Sequence, residues 1–124
     1  MSTVAGKRVL VLEDEFLLAM EAAETLEDLG VVVVGPAYRI DAAMALLATE
    51  QVDAALLDVN IGGMPSSVVA DHLIARGVPV VFATGYGARA DVVSGHVILD
   101  KPYTREQMRA ALLQVLGYEK EPSR

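Results

Sequence analysis

The sequence predicts an α/β fold in which helices cover both faces of a parallel β-sheet. Two observations lead to this prediction: short runs of Val, Leu and Ile recur along the chain, and segments with helical spacing of apolar residues separate them. Strands of a parallel sheet are buried on both faces, so continuous apolar runs are expected in them. A length of 124 residues with 53% apolar composition suits one domain with a sizeable core.

The first half of the chain predicts three strands joined by two helices. The predicted strands cover about residues 8–13, 31–35 and 53–58. The apolar stripes of the helices are Phe16, Met20, Ala23 and Leu26, then Ile40, Ala43, Met44 and Leu47. Gly30 is expected to end the first helix and Pro36 to end the second strand, because Gly is common after helices and Pro interrupts regular structure.

The second half predicts two further strands, at about residues 79–83 and 96–99. The segment at residues 59–65 is rich in Gly and Pro, which predicts an irregular loop. Residues 85–91 are small and weakly periodic, which predicts a short helix and a mobile loop.

Two longer helices complete the second half. One carries Val69 and Leu73 and is expected to end at Gly77. Thr104 and Gln107 have the spacing of a capping box at the start of the other. The apolar stripe of that last helix is Met108, Ala111, Leu112 and Val115, with Gly117 after it. We therefore expect one domain over residues 1–118 and a polar tail over residues 119–124.

The net charge of −7 argues against two classes of partner. Nucleic acids and anionic membranes attract basic faces, so we expect neither to bind this chain. A protein with a neutral or basic surface is compatible with this charge. The absence of Cys excludes disulfides, thiolate metal sites and thiol nucleophiles, and fits a reducing compartment. Without a signal-like segment or an apolar stretch of roughly 18 residues, a cytoplasmic protein is expected.

Residues suited to phosphoryl chemistry lie at the ends of four predicted strands. Glu13 and Asp14 follow the first strand, Asp58 the third, Thr84 the fourth and Lys101 the fifth. In an open parallel sheet, sites form beyond the carboxyl ends of the strands, so these residues can converge on one point. Such a group can hold a hard divalent cation, offer one carboxylate as a nucleophile and contact phosphoryl oxygens.

The order of these elements resembles the receiver domain of bacterial two-component response regulators over essentially the whole chain. The residues that carry the resemblance are Glu13 with Asp14, then Asp58, Thr84, and Lys101 with Pro102. It implies a flavodoxin-like, doubly wound (βα)5 fold whose five parallel strands lie in the order 2-1-3-4-5. It also implies a phosphoacceptor signalling domain, not an enzyme, that assists its own phosphorylation and dephosphorylation.

The same resemblance implies a role for each site residue. Asp58 is expected to accept a phosphoryl group from a phosphohistidine of a sensor histidine kinase or a histidine phosphotransfer protein. Thr84 and Lys101 are expected to contact the phosphoryl oxygens. Mg²⁺ is the expected cofactor, bound by Asp14, Asp58 and the backbone carbonyl of Asn60, with Glu13 acting through water. Physically, clustered carboxylates without a cation repel each other and lose hydration, which favours a metal.

A narrower resemblance concerns residues 80–87, VVFATGYG. This segment is similar to the signature of mostly single-domain receivers named for their FATGUY motif. The implied output is a protein contact or the draining of phosphate from a kinase. Most receivers have an aromatic residue three positions before the Lys after the fifth strand, where this chain has Ile98. We therefore expect a different switch, for which Tyr86, between Gly85 and Gly87, is the candidate.

Two other interpretations stay open. An aspartate-nucleophile phosphatase uses similar residues with Mg²⁺, but its nucleophile follows the first strand and usually has an Asp two positions later, where this chain has Asn60. A receiver-like interaction module would never be phosphorylated, and the intact set of site residues argues against it. The sequence leaves the oligomeric state open: a monomer is the default, and self-association through the last helix and fourth strand is the alternative.

Overall fold

A five-stranded parallel β-sheet forms the centre of the computed structural model, which describes residues 3–85 and 96–117. The strands are β1 (Arg8–Leu12), β2 (Val32–Ala37), β3 (Ala54–Asp58), β4 (Asn60–Ile61), β5 (Met64–Pro65), β6 (Val80–Thr84) and β7 (Val97–Asp100). The helices are α1 (Phe16–Asp28), α2 (Ile40–Thr49), α3 (Ser67–Ala75) and α4 (Arg105–Leu116).

The strands of the sheet lie in the order β2-β1-β3-β6-β7, and every neighbouring pair is parallel. Since β6 and β7 are the fourth and fifth predicted strands, the predicted order 2-1-3-4-5 is confirmed. Strands β4 and β5 form a separate antiparallel pair. The prediction of an irregular loop was wrong there, because Gly62 and Gly63, both at positive φ, let the chain reverse between the two strands.

Helices pack on both faces of the sheet, and β1 shows how its residues divide between them. Val9 and Val11 belong to the core cluster that contains residues of α1 and α4. Leu10 and Leu12 belong to the cluster that contains residues of α2 and α3. Successive side chains of a strand alternate between faces, so a strand buried on both sides must be apolar throughout. The predicted doubly wound, flavodoxin-like fold is confirmed.

Helix α1 packs on the sheet mainly through small residues, and only Leu26 of its predicted stripe is buried. Its buried residues are Ala19, Ala22 and Leu26. Phe16 is 59% exposed and Met20 is 41% exposed, so the prediction that these two face the core was wrong. The ring of Phe16 lies beside that of Tyr38, with centroids 5.8 Å apart. Alanine at the contact lets the helix axis lie close to the sheet, which leaves Phe16 and Met20 outside.

The other predicted helix stripes agree with the structure. Ala43 and Leu47 of α2 are buried, with Ile40 and Met44 packed partly against the same cluster. Val69 and Leu73 of α3 are fully buried. The buried residues of α4 are Met108, Ala111, Leu112 and Leu113, and Val115 is partly buried.

Strand β2 continues through Pro36, although Pro36 was predicted to end it. β2 lies at an edge of the sheet, where a residue without an N–H group is tolerated. The register with β1 shifts at this point, so that Leu12 pairs with Ala37. Gly35 has φ 102°, and a Cβ atom there would lie 2.8 Å from the backbone nitrogen of Ala37. The bend before Pro36 therefore requires Gly.

Helix α4 begins and ends as predicted. The Gln107 N–H donates to Thr104 Oγ1 at 3.0 Å, and the Thr104 N–H donates to Gln107 Oε1 at 2.8 Å. This reciprocal pair is a capping box, which satisfies two backbone donors that the helix itself cannot. Gly117 follows the helix with φ 85°, a left-handed conformation that favours Gly.

Some sequence predictions concern parts of the chain beyond the described residues. These are the short helix predicted at residues 85–91, apart from Gly85, and the polar tail predicted at residues 119–124. The assignment of residues 1–118 to one domain also stays a prediction. Within residues 3–85 and 96–117, no helix has the length and apolar character needed to cross a membrane.

The first prediction concerns the bend at Gly35. Gly35→Ala should lower the free energy of unfolding by about 3 kcal/mol, since it adds a clash to the cost of positive φ. Gly77→Ala is the control: Gly77 also has positive φ, at 78°, but no atom lies within 4 Å of a Cβ there. It should cost about 1 kcal/mol. Urea denaturation followed by circular dichroism measures both, and equal losses would contradict the predicted clash.

The second prediction concerns the capping box. Thr104→Ala should destabilise the protein by about 1 kcal/mol, because the Gln107 N–H loses its acceptor. Thr104→Ser retains a hydroxyl and should cost less than half as much. Thermal unfolding of both variants is the measurement. A Ser variant as unstable as the Ala variant would mean that the methyl group, and not the hydrogen bond, accounts for the loss.

Candidate functional site

The predicted site residues lie together at the carboxyl ends of the strands. Leu12 of β1 pairs with Leu57 of β3, and Asp58 pairs with Ala83 of β6, so these strands end at the same edge of the sheet. Residues that follow them must therefore meet there. The predicted site residues at this edge are Glu13, Asp14, Asp58, Thr84 and Lys101.

The Lys101 ammonium joins two carboxylates in the middle of the site. Its Nζ donates to Glu13 Oε1 at 2.6 Å and to Asp58 Oδ2 at 3.2 Å. The three side chains are 14%, 7% and 16% exposed for Lys101, Glu13 and Asp58, so water screens their charges only weakly. The ammonium thereby offsets the repulsion between the two carboxylates.

The pKa values of Glu13 and Lys101 are both raised, for different reasons. Burial raises the pKa of the Glu13 carboxyl because it disfavours the charged form, and the hydrogen bond from Lys101 only partly opposes this. Burial acts to lower the pKa of Lys101, but the hydrogen bond to Glu13 and the charge of Asp58 outweigh it. The Lys101 ammonium therefore stays charged at neutral pH.

Three carboxylates of the site can share one cation. One oxygen from each of Glu13, Asp14 and Asp58 can be chosen so that all three lie within 4.8 Å of one another. Mg²⁺ prefers oxygen ligands, keeps several waters and needs few protein carboxylates. Asp14 is exposed and Asp58 is partly exposed, so at least two of the three donors are in contact with solvent. The donor set fits a hard divalent cation.

Hydrogen bonds also connect the β4–β5 hairpin to the site. The Gly62 N–H donates to Asp14 Oδ2 at 2.8 Å, and the Gly63 N–H donates to Asn60 Oδ1 at 2.9 Å. The Asn60 N–H donates to Asp58 Oδ1 at 3.4 Å. Sequence reasoning missed these contacts, since it assigned Asn60 only a backbone carbonyl ligand. The sequence feature that could have predicted these contacts is the pair Gly62 and Gly63, because the N–H groups of residues without side chains can approach an acceptor closely.

Thr84 is buried at the end of β6, and its backbone carbonyl accepts the Lys101 N–H at 2.8 Å. This bond fixes the backbone of Lys101 to the end of β6. Of the predicted switch residues, Gly85 is exposed, whereas Tyr86 and Gly87 lie outside the described part of the chain. The role of all three stays a prediction.

The edge strand β7 carries Ile98, the residue that stands in place of the usual aromatic. Ile98 is 41% exposed and pairs with Phe82 of β6. Phe82 is buried, and its ring contacts that of His96 edge to face, with centroids 5.2 Å apart. The ring that packs against Phe82 is therefore that of His96, which precedes β7.

A comparison with protein-family models identifies the chain. The model of the response regulator receiver domain matches residues 9–113, which include β1 apart from Arg8, all the other described strands and most of α4. The chain belongs to this receiver domain family. Its members are generally phosphoacceptor signalling domains of response regulators. A comparison with curated proteins finds no match to this receiver domain.

Solved receiver structures agree with this assignment. SdrG from Sphingomonas melonis Fr1 is 37% identical with a TM-score of 0.79, and the match covers 94% of this receiver and 99% of SdrG. The response regulator PhyR from Brucella abortus is 27% identical with a TM-score of 0.81. That match covers 95% of this receiver but only 51% of PhyR, so the chain spans about half of that relative. The receiver domain of Erythrobacter litoralis PhyR, at 24% identity and a TM-score of 0.80, shares the fold over 97% of both chains.

The third prediction concerns the hairpin contacts. Asp14→Ala should speed amide hydrogen exchange of Gly62 about three- to tenfold, the range expected for loss of one hydrogen bond, and leave Gly63 unchanged. Asn60→Ala should do the reverse. Exchange measured by NMR at single-residue resolution compares the two variants. Equal acceleration of both amides in both variants would show that the hairpin opens as a unit.

Proposed function

We propose that this chain is a single-domain response regulator of a two-component phosphorelay. In this proposal residues 1–118 form the receiver and residues 119–124 a polar tail. The observation that carries the proposal is the Lys101 ammonium between Asp58 and Glu13, with Asp14 beside them. This arrangement supplies a nucleophile, a cation for phosphoryl oxygens and metal ligands. Membership of the receiver family and the full-length match to SdrG support it.

Asp58 is the proposed phosphoryl acceptor. One of its carboxylate oxygens attacks the phosphorus of a phosphohistidine, so that an O–P bond forms while the P–N bond breaks. The electron pair of the broken bond stays on the histidine nitrogen, and the product is an acyl phosphate on Asp58. This chemistry depends on positioning and charge neutralisation more than on a strong nucleophile.

Mg²⁺ is the proposed cofactor of the transfer. Asp14 and Asp58 would bind it through carboxylate oxygens and Asn60 through its backbone carbonyl, with Glu13 contacting a bound water. When bound, it would neutralise charge on the transferring phosphoryl group. The clustering of three carboxylates, two of which contact the Lys101 ammonium, supports this assignment.

Thr84 and Lys101 are the proposed contacts of the phosphoryl oxygens after transfer. The Thr84 hydroxyl donates one hydrogen bond, and the Lys101 ammonium contributes a charge-assisted one. Because Ile98 stands in place of the usual aromatic, we assign the switch to Gly85, Tyr86 and Gly87, within the segment that resembles the FATGUY signature. The charge of the phosphoryl group on Asp58 then shifts a surface elsewhere on the domain from one of its two states to the other.

The proposed phosphate donor is a sensor histidine kinase or a histidine phosphotransfer protein in the cytoplasm. The output is a contact with a downstream protein or the removal of phosphate from the kinase. The acidic net charge of −7 supports protein partners and not nucleic acid or membrane. We propose that the chain is a monomer.

The fourth prediction tests the acceptor. Wild type and Asp58→Asn are incubated with acetyl phosphate and Mg²⁺, with EDTA in a parallel sample, and their intact masses are measured. Only wild type with Mg²⁺ should gain one phosphate. Asn is the matched variant because it preserves the size of the side chain and removes the nucleophilic carboxylate.

Other outcomes would favour the alternative functions. Continuous hydrolysis of a small phosphomonoester without accumulation of phosphoprotein would favour an aspartate-nucleophile phosphatase. No gain of phosphate from either acetyl phosphate or a phosphorylated histidine kinase, in a folded protein, would favour an interaction module that is never phosphorylated. Phosphate on the Asp58→Asn variant would place the acceptor elsewhere.

A further inference from the structure

Both carboxylate oxygens of Glu13 accept hydrogen bonds that are shorter than the two that Asp58 accepts. Glu13 Oε1 accepts from the Lys101 ammonium at 2.6 Å, and Oε2 accepts from the Glu15 N–H at 3.1 Å. The bonds to Asp58 measure 3.2 Å from Lys101 and 3.4 Å from the Asn60 N–H. Glu13 is also the most buried of the three carboxylates, while Asp14 is exposed. Its carboxylate is therefore held in one orientation, which faces Lys101.

The backbones at both ends of this ion pair are fixed as well. The Glu13 N–H donates to the carbonyl of Ala37 at 3.0 Å, and the Lys101 N–H donates to the carbonyl of Thr84 at 2.8 Å. The two side chains therefore meet across the top of the sheet from anchored ends. The lysine stem is flexible, so a fixed acceptor is needed to hold its ammonium in one place.

From this geometry we infer that Glu13 is a positioning residue for Lys101. It holds the ammonium partly away from Asp58 until phosphoryl oxygens arrive, and this is its main contribution to phosphoryl transfer. Contact with a metal-bound water is secondary. The inference rests on the proposed function, because it assumes that Asp58 is the phosphoryl acceptor.

The physical reason is competition for one cation. Lys101 Nζ lies 2.6 Å from the Glu13 oxygen and 3.2 Å from the Asp58 oxygen, so Glu13 makes the closer contact. Without the Glu13 charge, the ammonium would pair with Asp58 alone and mask the carboxylate that must attack phosphorus. Phosphoryl oxygens, which carry more charge than Glu13, can take the ammonium over once the group arrives.

A double-mutant cycle tests whether Glu13 acts through Lys101. The initial rate of phosphorylation by acetyl phosphate is measured by intact mass for wild type, Glu13→Gln, Lys101→Met and the double variant. Mg²⁺ is kept at a concentration shown by titration to be saturating for each protein. In the wild-type background, Glu13→Gln should lower the initial rate of phosphorylation about fivefold. In the Lys101→Met background it should change that rate less than twofold, as expected for residues that act as a unit.

Three further variants control this experiment. Glu24→Gln removes one negative charge from an exposed position of α1 and should leave the rate unchanged. Glu13→Asp retains the carboxylate, so it should lose less of the rate than Glu13→Gln. Lys101→Gln provides a second background, which keeps the cycle measurable if Lys101→Met does not fold.

A second readout needs neither metal nor phosphate. In EDTA, thermal unfolding of the same four proteins reports the Glu13–Lys101 contact itself. Without the ammonium, Glu13 faces Asp58 as an unpaired neighbouring charge. The Glu13→Gln substitution should therefore stabilise the protein more, or destabilise it less, in the Lys101→Met background than in wild type. The change in melting temperature that Glu13→Gln causes should differ by about 3 °C or more between the two backgrounds, as expected for a partly buried pair.

The outcomes separate this inference from the function on which it rests. If wild type gains phosphate and Glu13→Gln slows both backgrounds equally, Glu13 acts on the metal or the phosphate and the inference is wrong. Additive changes in EDTA would also overturn it. If wild type gains no phosphate from any donor, the proposed function fails first, and the inference about transfer fails with it.

Discussion

The in-register parallel pairing of β1, β3 and β6 is the constraint on which the rest of the structure depends. It brings the residues that follow separate strands to one edge of the sheet, although Glu13 and Asp58 lie 45 positions apart in the sequence. Burial of both sheet faces holds the strands in this register, because a shift by one residue would exchange the side chains that fill the two closely packed faces. The acidic cluster of Glu13, Asp14 and Asp58 is thus held in place by the hydrophobic packing beneath it.

Much of the fold could be predicted because its main signals are periodic. Apolar runs marked the five strands, and three of the four described helices packed through their predicted stripes. The errors have a common cause. Spacing rules give weight to Phe16 and Met20 because they are large, whereas the contact with the sheet favours Ala19 and Ala22 because they are small. Pro36 was misread because a sequence does not show directly which strand lies at an edge.

For the site, the sequence indicated which residues would meet but not how they would be paired. Convergence follows from their positions at strand ends, a feature of topology. The preference of Lys101 for Glu13 over Asp58 depends on differences of a fraction of an ångström between side chains, which no spacing rule contains. The hairpin bonds to Asp14 and Asn60 depend likewise on local backbone direction. The functional roles of these residues stay predictions.

Strand β2 has a consequence for how the molecule behaves among its own copies. An exposed sheet edge presents unpaired peptide groups, which can recruit a strand from another chain and begin aggregation. In β2 the bend at Gly35 and the missing donor of Pro36 interrupt that row of groups after only a few residues. The same two residues that adjust the register between β1 and β2 therefore make this edge a poor template for fibre growth, which favours solubility at high concentration.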